Sequence, residues 1–337
     1  MDKFNIPVVL FFFKREDVTI EVVRAIKKIK PRKIYLLCDG GRNEKEHEEV
    51  INCREAVEKE INWDCEIIKK YSNKNIGVYK NIGEGAKWVF DREEVAIFLE
   101  DDNLPQESFF NYCEELLNKY KDVEKVLWIC GTNYLEEFST KNNESYVFTK
   151  HLLPCGWASW AEKFNKFYDG ELKILNDNLN DTLNKLESTY ENKALYRQQK
   201  YNLLGTKNKI DTNINRASWD HQMSFSLRIN NLYGISPKVN LIKNIGVDER
   251  STHGGTSMKK VMTKRFCGMD IKPINTPLIH PKKIELDKDY EKIVGNIILL
   301  PLYQRIPLKI IRFLKPLFGY SKYESVNFRN LIKKALS

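Results

Sequence analysis

The sequence predicts an α/β protein, a mostly parallel sheet flanked by helices, and three observations carry that reading. Short runs of apolar, β-branched and aromatic residues stand without polar interruption, as strands covered on both faces require. These runs alternate with helical patterns of about ten to fifteen residues, the arrangement that right-handed crossovers between parallel strands produce. One run, residues 95–99, ends in three consecutive carboxylates, Glu100, Asp101 and Asp102, before Asn103, Leu104 and Pro105 stop it.

Residues 6–13 form the first predicted strand, closing on Phe13, Lys14 and Arg15. Residues 19–29 have helical spacing, with Ile20, Val23 and Ile26 on one side and lysines near the end. A strand at 33–38 runs into Asp39-Gly40-Gly41, a charged surface helix follows at 44–60, and a third strand at 65–69. Asn75-Ile76-Gly77 is a turn before a helix at 79–91. After the strand at 95–99 come a helix at 108–120 and a strand at 126–130. Beyond residue 135 the alternation weakens. Helical patterning returns at 175–186, 190–204 and 218–229, with a short strand at 235–240 and an irregular Gly/Thr/Pro-rich stretch at 248–282. The expected organisation is one domain over 1–285, divisible into halves at 1–135 and 136–285, and an extension over 286–337.

Composition narrows the class. At 42% hydrophobic and 12% aromatic the chain has the material for a core. Seven cysteines, an odd number without metal-ligand spacing, read as small buried hydrophobes of a reducing cytosol. The first apolar run is too short for a secretory leader or a membrane span. Of the net charge of +9, most belongs to residues 301–337, where eight Lys and Arg face one acid, Glu324. A basic tail on a near-neutral body argues against nucleic acid as a partner. In that tail Arg305, Lys309, Arg312 and Lys315 share one arc of a helix and apolar residues fill the rest, with Pro307 placed where a first turn tolerates it. A basic amphipathic helix too short to span a bilayer predicts a peripheral position at the inner face of the cell membrane; a helix packed on the core is the alternative.

Three adjacent carboxylates repel one another and call for a cation. Hard divalent metals, Mg²⁺ or Mn²⁺, take such oxygen ligands and are commonly shared with substrate phosphates. Ligands of open α/β sheets also bind just outside the carboxyl ends of strands, where this triplet falls.

With these elements placed, the chain resembles GT-A-fold glycosyltransferases, the bacterial family-2-like sugar transferases of surface-polysaccharide synthesis, and more distantly N-acetylglucosaminyltransferase I. The resemblance rests on residues 7–15, Asp39-Gly40, Asn75-Ile76-Gly77, residues 98–105 with Glu100-Asp101-Asp102, Gly156-Trp157-Ala158-Ser159-Trp160, Ser218-Trp219-Asp220-His221-Gln222, Asn244-Ile245-Gly246 and Thr252-His253. It implies a Rossmann-like GT-A sheet and an inverting, metal-dependent transfer from a nucleotide-sugar, a UDP-sugar of the UDP-GlcNAc type, to a glycan or lipid-linked acceptor. By the same resemblance Asp102 ligates Mn²⁺ or Mg²⁺ and His253 joins it, while Glu100 and Asp101 bind ribose or orient the metal. Phe13, Lys14, Arg15, Asp39, Asn75, Gly77 and Lys80 line the donor pocket in the first half of the domain. Asp220 is the base that takes the acceptor's proton, and Trp157 and Trp160 offer faces to the acceptor sugar. Two departures stand out: the Asn-rich stretch 207–215 before Trp219 is long for the family, and the extension has no counterpart. A nucleotidyltransferase is the competing expectation, although it wants a glycine-rich loop after the first strand and Lys14-Arg15-Glu16-Asp17 has none. A non-catalytic membrane scaffold is the third.

Overall fold

A computed structural model of the chain describes residues 4–251, 255–324 and 326. The strands are β1 (Val8–Phe12), β2 (Lys33–Cys38), β3 (Glu66–Tyr71), β4 (Val95–Glu100), β5 (Asn103–Pro105), β6 (Val126–Cys130), β7 (Tyr146–Thr149), β8 (Trp157–Trp160), β9 (Tyr233–Pro237) and β10 (Ile242–Asn244). Eight of them make one sheet in the order β3-β2-β1-β4-β8-β6-β9-β7, and β5 and β10 form a separate antiparallel pair. β3, β2, β1 and β4 run parallel, as do β6 and β9, while β8 and β7 run against their neighbours. The Rossmann-like α/β architecture expected from the sequence is therefore present.

The helices are α1 (Glu16–Ile29), α2 (Glu44–Glu60), α3 (Gly85–Phe90), α4 (Ser108–Lys119), α5 (Ala161–Phe167), α6 (Ile174–Asp177), α7 (Leu179–Ser188), α8 (Lys193–Asp211), α9 (Asp220–Ile229), α10 (Val261–Cys267), α11 (Lys288–Ile298) and α12 (Leu302–Leu314). β1 shows why its sequence lacks alternation. Val8, Leu10 and Phe12 enter one core layer, and Val9 and Phe11 enter the other. α1 is amphipathic, opens on Glu16 and Asp17, and closes on Lys27 and Lys28 with Lys30 in the left-handed region, a charge order that suits the helix dipole. Cys38, Cys53, Cys113 and Cys130 are buried, as small hydrophobes would be.

Several expectations are corrected. Residues 157–160, which carry no helix-or-strand periodicity of their own, are an antiparallel strand wedged between β4 and β6. That strand joins the two halves drawn at residue 135 into one sheet. The helix expected at 79–91 begins as a π-helical stretch, Tyr79–Glu84, before continuing as α3. The irregular segment 248–282 contains α10. The extension does not begin at 286: Tyr290 of α11 is fully buried, and its hydroxyl lies 2.6 Å from that of Ser236 and donates to Asn133 Oδ1 at 3.1 Å. α12 itself has no buried residue. α12 starts early enough that Pro307 is its sixth residue, where a proline removes a helical N–H.

Candidate active site

Parallel pairing of β1 with β4 places Phe11 beside Glu100, so the residues leaving β1 meet the acidic triplet leaving β4. Arg15 makes the junction. Its Nη2 donates to Asp101 Oδ1 and Asp102 Oδ2, each at 2.9 Å, and its Nη1 donates to the Gly246 carbonyl at 2.8 Å. The β5–β10 pair brings Gly246 there, with Asn103 opposite Asn244 and the Ile245 amide donating to the Asp102 carbonyl at 2.9 Å. A Cβ at 246 would lie 2.3 Å from Asp102 Oδ2 and 2.6 Å from Arg15 Nη1, so any larger residue makes those side chains shift. Asn103, itself buried, donates to Asp102 Oδ1 at 2.8 Å and accepts from the Gly156 amide at 2.9 Å.

The triplet carries more acid than its one guanidinium balances. Burial, then the charge of Asp102, pushes the Asp101 carboxyl up, against the pull of Arg15 and the Phe13 amide. Burial followed by the charges of Asp102, Asp101 and Asp220 lifts Glu100 well above the usual carboxylate range. Asp220, the first residue of α9, is thus among the charges that act on Glu100, although 118 positions separate it from Asp102 in sequence.

An aromatic pile links β4 to α9. Phe98 of β4 stacks on Trp157 of β8 at 3.9 Å between ring centroids, Trp157 stacks on Trp128 of β6 at 4.2 Å, and Trp219 lies 5.8 Å from Trp157. Phe98 is two residues before Glu100, and Trp219 immediately precedes Asp220. The Asp220 carboxylate accepts from the His221 amide at 3.0 Å and from nothing else among the described residues, so it does not cap the later amides of α9.

The two tryptophans expected to face an acceptor are corrected by the same geometry. Trp157 is 1% exposed and Trp160 4%; Trp160 Nε1 donates to the Leu117 carbonyl at 3.0 Å and the Lys163 ammonium sits 3.7 Å over its ring. Neither offers a free face to a sugar. A different aromatic pair stands near Asp220. Tyr134 and Phe266, both half-buried, lie with ring centroids 5.0 Å apart, and the charge of Asp220 is among those that act on the Tyr134 hydroxyl. No spacing in the sequence joins these two residues, since the loop after β6 and α10 meet only in the fold.

Other expected donor residues are held by the protein itself. Asp39 is buried, and its carboxylate accepts from the Gly40 and Ile76 amides at 2.8 Å, the Gly77 amide at 2.9 Å and Asn75 Nδ2 at 3.0 Å. It fastens the 75–77 turn to the end of β2 instead of presenting free oxygens to a base. Asn75 also accepts from Asn215 Nδ2 through its carbonyl at 3.0 Å, so the long Asn-rich stretch serves to close this turn. Gly77 has φ +83° and would bring a Cβ within 2.0 Å of Asn215 Oδ1. Lys14 turns away to Glu46 and Glu49 at 3.0 and 3.1 Å, Phe13 lies under the Arg42 guanidinium, and Lys80 is exposed. His253 lies outside the described residues.

Beside Arg15 opens a cleft of about 380 Å³ lined by Lys14, Arg15, Glu16, Asp17, Glu49 and Arg250. Arg250 pairs with Asp17 at 2.9 Å and Asp248 at 2.7 Å, tying the loop after β10 to the start of α1. Its tie to α1 is invisible in the sequence because Asp17 lies 233 positions away. A larger cleft of about 500 Å³, lined by residues such as Pro7, Lys33 and Val95, sits at the opposite, amino-terminal ends of the strands. The smaller one lies where open sheets bind ligands.

The residues present suit one hard divalent cation held on one side only. Among the described residues no three His, Cys, Asp or Glu converge on a closed cage. Asp101 and Asp102 nevertheless leave a surplus of negative oxygen beside a single guanidinium, and Mg²⁺-type sites commonly use one or two carboxylates with the rest supplied by phosphate and water.

No protein-family model matches the chain, and no curated protein matches it either. Among solved structures, similarity reaches UDP-glucose pyrophosphorylase complexed with UDP-glucose, at 12% identity and a TM-score of 0.36 over 72% of this chain and 94% of that one. It also reaches 4-diphosphocytidyl-2C-methyl-D-erythritol synthase from Anaerococcus prevotii, at 11% identity and a TM-score of 0.32 over 52% and 78%. A third is HddC from Yersinia pseudotuberculosis complexed with GMP-PN, at 9% identity and a TM-score of 0.32 over 51% and 86%. At these scores the likenesses carry no functional argument, so function is argued from the site.

Proposed function

We propose that the chain is an inverting glycosyltransferase that takes its sugar from a nucleotide-sugar, a UDP-sugar of the UDP-GlcNAc type, and passes it to a hydroxyl of a glycan or lipid-linked acceptor in surface-polysaccharide synthesis. What supports this is the aromatic stack that runs from Phe98, two residues before Glu100, through Trp157 to Trp219, immediately before Asp220, together with the charge of Asp220 acting on Glu100. A carboxylate whose one partner among the described residues is a neighbouring amide can accept a proton from a hydroxyl as that oxygen attacks the anomeric carbon. The nucleoside diphosphate leaves from the opposite face, which inverts the centre.

Arg15 and the triplet form the donor side. Asp102, with Asp101, is the place for Mg²⁺ or Mn²⁺, which when bound offsets the charge of the diphosphate. Arg15 holds both carboxylates through one nitrogen, and Gly246 keeps the loop after β10 close to them. Glu100, on which the charge of Asp220 also acts, orients the transferred sugar or the ribose. Tyr134 and Phe266, rather than Trp157 and Trp160, form the aromatic wall for the acceptor. A nucleotidyltransferase is less well supported: only Phe13, Lys14 and Arg15 separate β1 from α1, with Lys14 and Arg15 committed to ion pairs, and no glycine-rich turn is there to wrap phosphates.

Release of UDP and transfer of sugar from UDP-sugars test this. Asp220→Asn is expected to cut turnover by about 10²–10⁴-fold while leaving nucleotide affinity unchanged, because it removes a proton acceptor and no donor contact. Turnover of Asp220→Asn at the wild-type rate would remove the base from the mechanism.

A further inference from the structure

α12 is turned the opposite way from a helix that belongs to a core. Two cationic residues at its end reach inward: the Arg312 guanidinium lies 3.4 Å over the Tyr201 ring, and Lys315, just past the helix, donates to Tyr201 Oη at 2.9 Å and to the Glu324 carbonyl at 2.5 Å. The apolar residues point out. Leu302, Tyr303, Ile306, Ile310, Phe313 and, beyond the helix, Leu317 are each more than half exposed, Phe313 reaching 74%. Scattered exposed apolar side chains need no explanation, but six within sixteen residues at helical spacing do.

Charge identifies what covers them. Residues 292–323 contain six Lys or Arg and no carboxylate. α10 reaches the root of α12, where Arg265 donates to the carbonyls of Ile297 and Leu299 at 3.1 and 3.0 Å, and residues 250–269 hold five more Lys or Arg, again with no carboxylate. Lys259, Lys260 and Lys264 on and before α10, Lys292 on α11, Lys309 on α12 and Lys322 beyond it are all exposed. A second copy of the chain laid on this face would bring two such cationic fields together, which opposes association. A spanning role is out of reach, since no helix among the described residues is long and apolar enough to cross a membrane.

We propose that this face, the outward stripe of α12 with the lysines of α10 and α11 around it, docks on an anionic lipid bilayer, the apolar side chains entering the headgroup boundary and the lysines meeting lipid phosphates. Of the basic arc expected from the sequence, Arg312 and Lys315 are spent on the body, while Lys309 stays exposed beside the apolar stripe. The geometry also locates the attachment. α10 carries Phe266, so a membrane under α10 and α12 lies next to the acceptor wall, which suits a lipid-linked acceptor. This placement goes beyond the donor chemistry and its test uses no nucleotide.

The test is co-sedimentation of the full chain with vesicles of phosphatidylcholine alone or mixed with phosphatidylglycerol, beside Ile310→Glu/Phe313→Glu, whose side chains touch water and leave the melting temperature unchanged. Wild type is expected to bind the mixed vesicles, at least about tenfold more weakly without phosphatidylglycerol, and the double variant about a hundredfold more weakly than wild type. Wild type left in the supernatant with anionic vesicles overturns the proposal, as does equal binding by the double variant. Sedimentation velocity closes the remaining route: a lipid-free dimer that the double variant splits makes the stripe a subunit interface and also overturns it.

Discussion

Two buried arginine–carboxylate clusters in this molecule are built from the same parts and end differently. Around Glu291, Arg228 Nη2 donates at 2.6 Å, the Thr149 hydroxyl at 2.7 Å and the Lys150 amide at 2.9 Å, with His151 Nε2 against the Glu291 carbonyl at 2.8 Å. Arg228 also stacks on Tyr190 at 3.9 Å. Every charge is matched and the cluster staples α11 and α9 to β7. Around Arg15 one guanidinium serves Asp101 and Asp102 while Glu100 and Asp220 crowd in, and the cluster borders a cleft. A closed ion cluster holds a fold. One left with surplus acid at the carboxyl ends of strands is prepared for a ligand, because the imbalance is costly until something cationic or proton-donating arrives.

Substitutions in the two clusters should separate stability from activity. The largest expected effect is on stability: Arg228→Met strands the Glu291 carboxylate and should cost about 3–5 kcal/mol in denaturant melts, with kcat of the surviving folded fraction unchanged. Trp157→Ala comes next, with about 3–5 kcal/mol lost from the cavity and, because the aromatic pile positions Asp220, a fall in kcat with little change in KM. If Trp157 were a sugar platform, KM would rise and stability would hold. Arg15→Met should destabilise less, since two carboxylates sharing a site can keep one proton between them, yet weaken nucleotide binding by about tenfold or more, read by calorimetry.

Acid gives a finer cut. Burial alone would raise Glu291, but His151, Arg228, the Lys150 amide and Thr149 outweigh it and hold the carboxyl at about 2, against 4.5 unfolded. Burial also holds His151 below its usual 6.5, so at neutral pH that imidazole is uncharged and Arg228 with the two donors carries the grip on Glu291. Both groups bind more protons when unfolded. Stability should therefore be full above about pH 6.5, sag as His151 is forced to charge, and fall again between 4.5 and about 2 as Glu291 protonates. Arg228→Met should flatten the lower limb in a pH series of melts. The smallest effect belongs to Gly246→Ala, whose Cβ would crowd Asp102 and Arg15: donor affinity should drop severalfold while the melt barely moves.

The sheet's first half was legible because its strands are covered on both faces and therefore read as unbroken apolar runs. β8 was not, since Trp-Ala-Ser-Trp shows no such run and its place between β4 and β6 is settled by stacking against Phe98 and Trp128. The acidic triplet and Asp220 announce themselves by residue type and by the elements they begin or end. Arg250, Tyr134 and Phe266 do not, because Asp17 reaches Arg250, and Tyr134 reaches Phe266, from more than a hundred residues away in the chain. Asp39 misled for a related reason. A carboxylate after a strand looks free in sequence, and only the fold shows four donors already spent on it.

The central claim is that the cluster around Arg15, Asp101 and Asp102 receives the diphosphate of a nucleotide-sugar together with a divalent cation. Calorimetric titration of UDP into the wild type and Asp102→Asn, each with Mn²⁺ and with EDTA, tests it most directly. Binding by wild type that needs Mn²⁺, and that Asp102→Asn loses without a change in melting temperature, is the predicted result. UDP affinity that is the same in all four titrations would contradict the account.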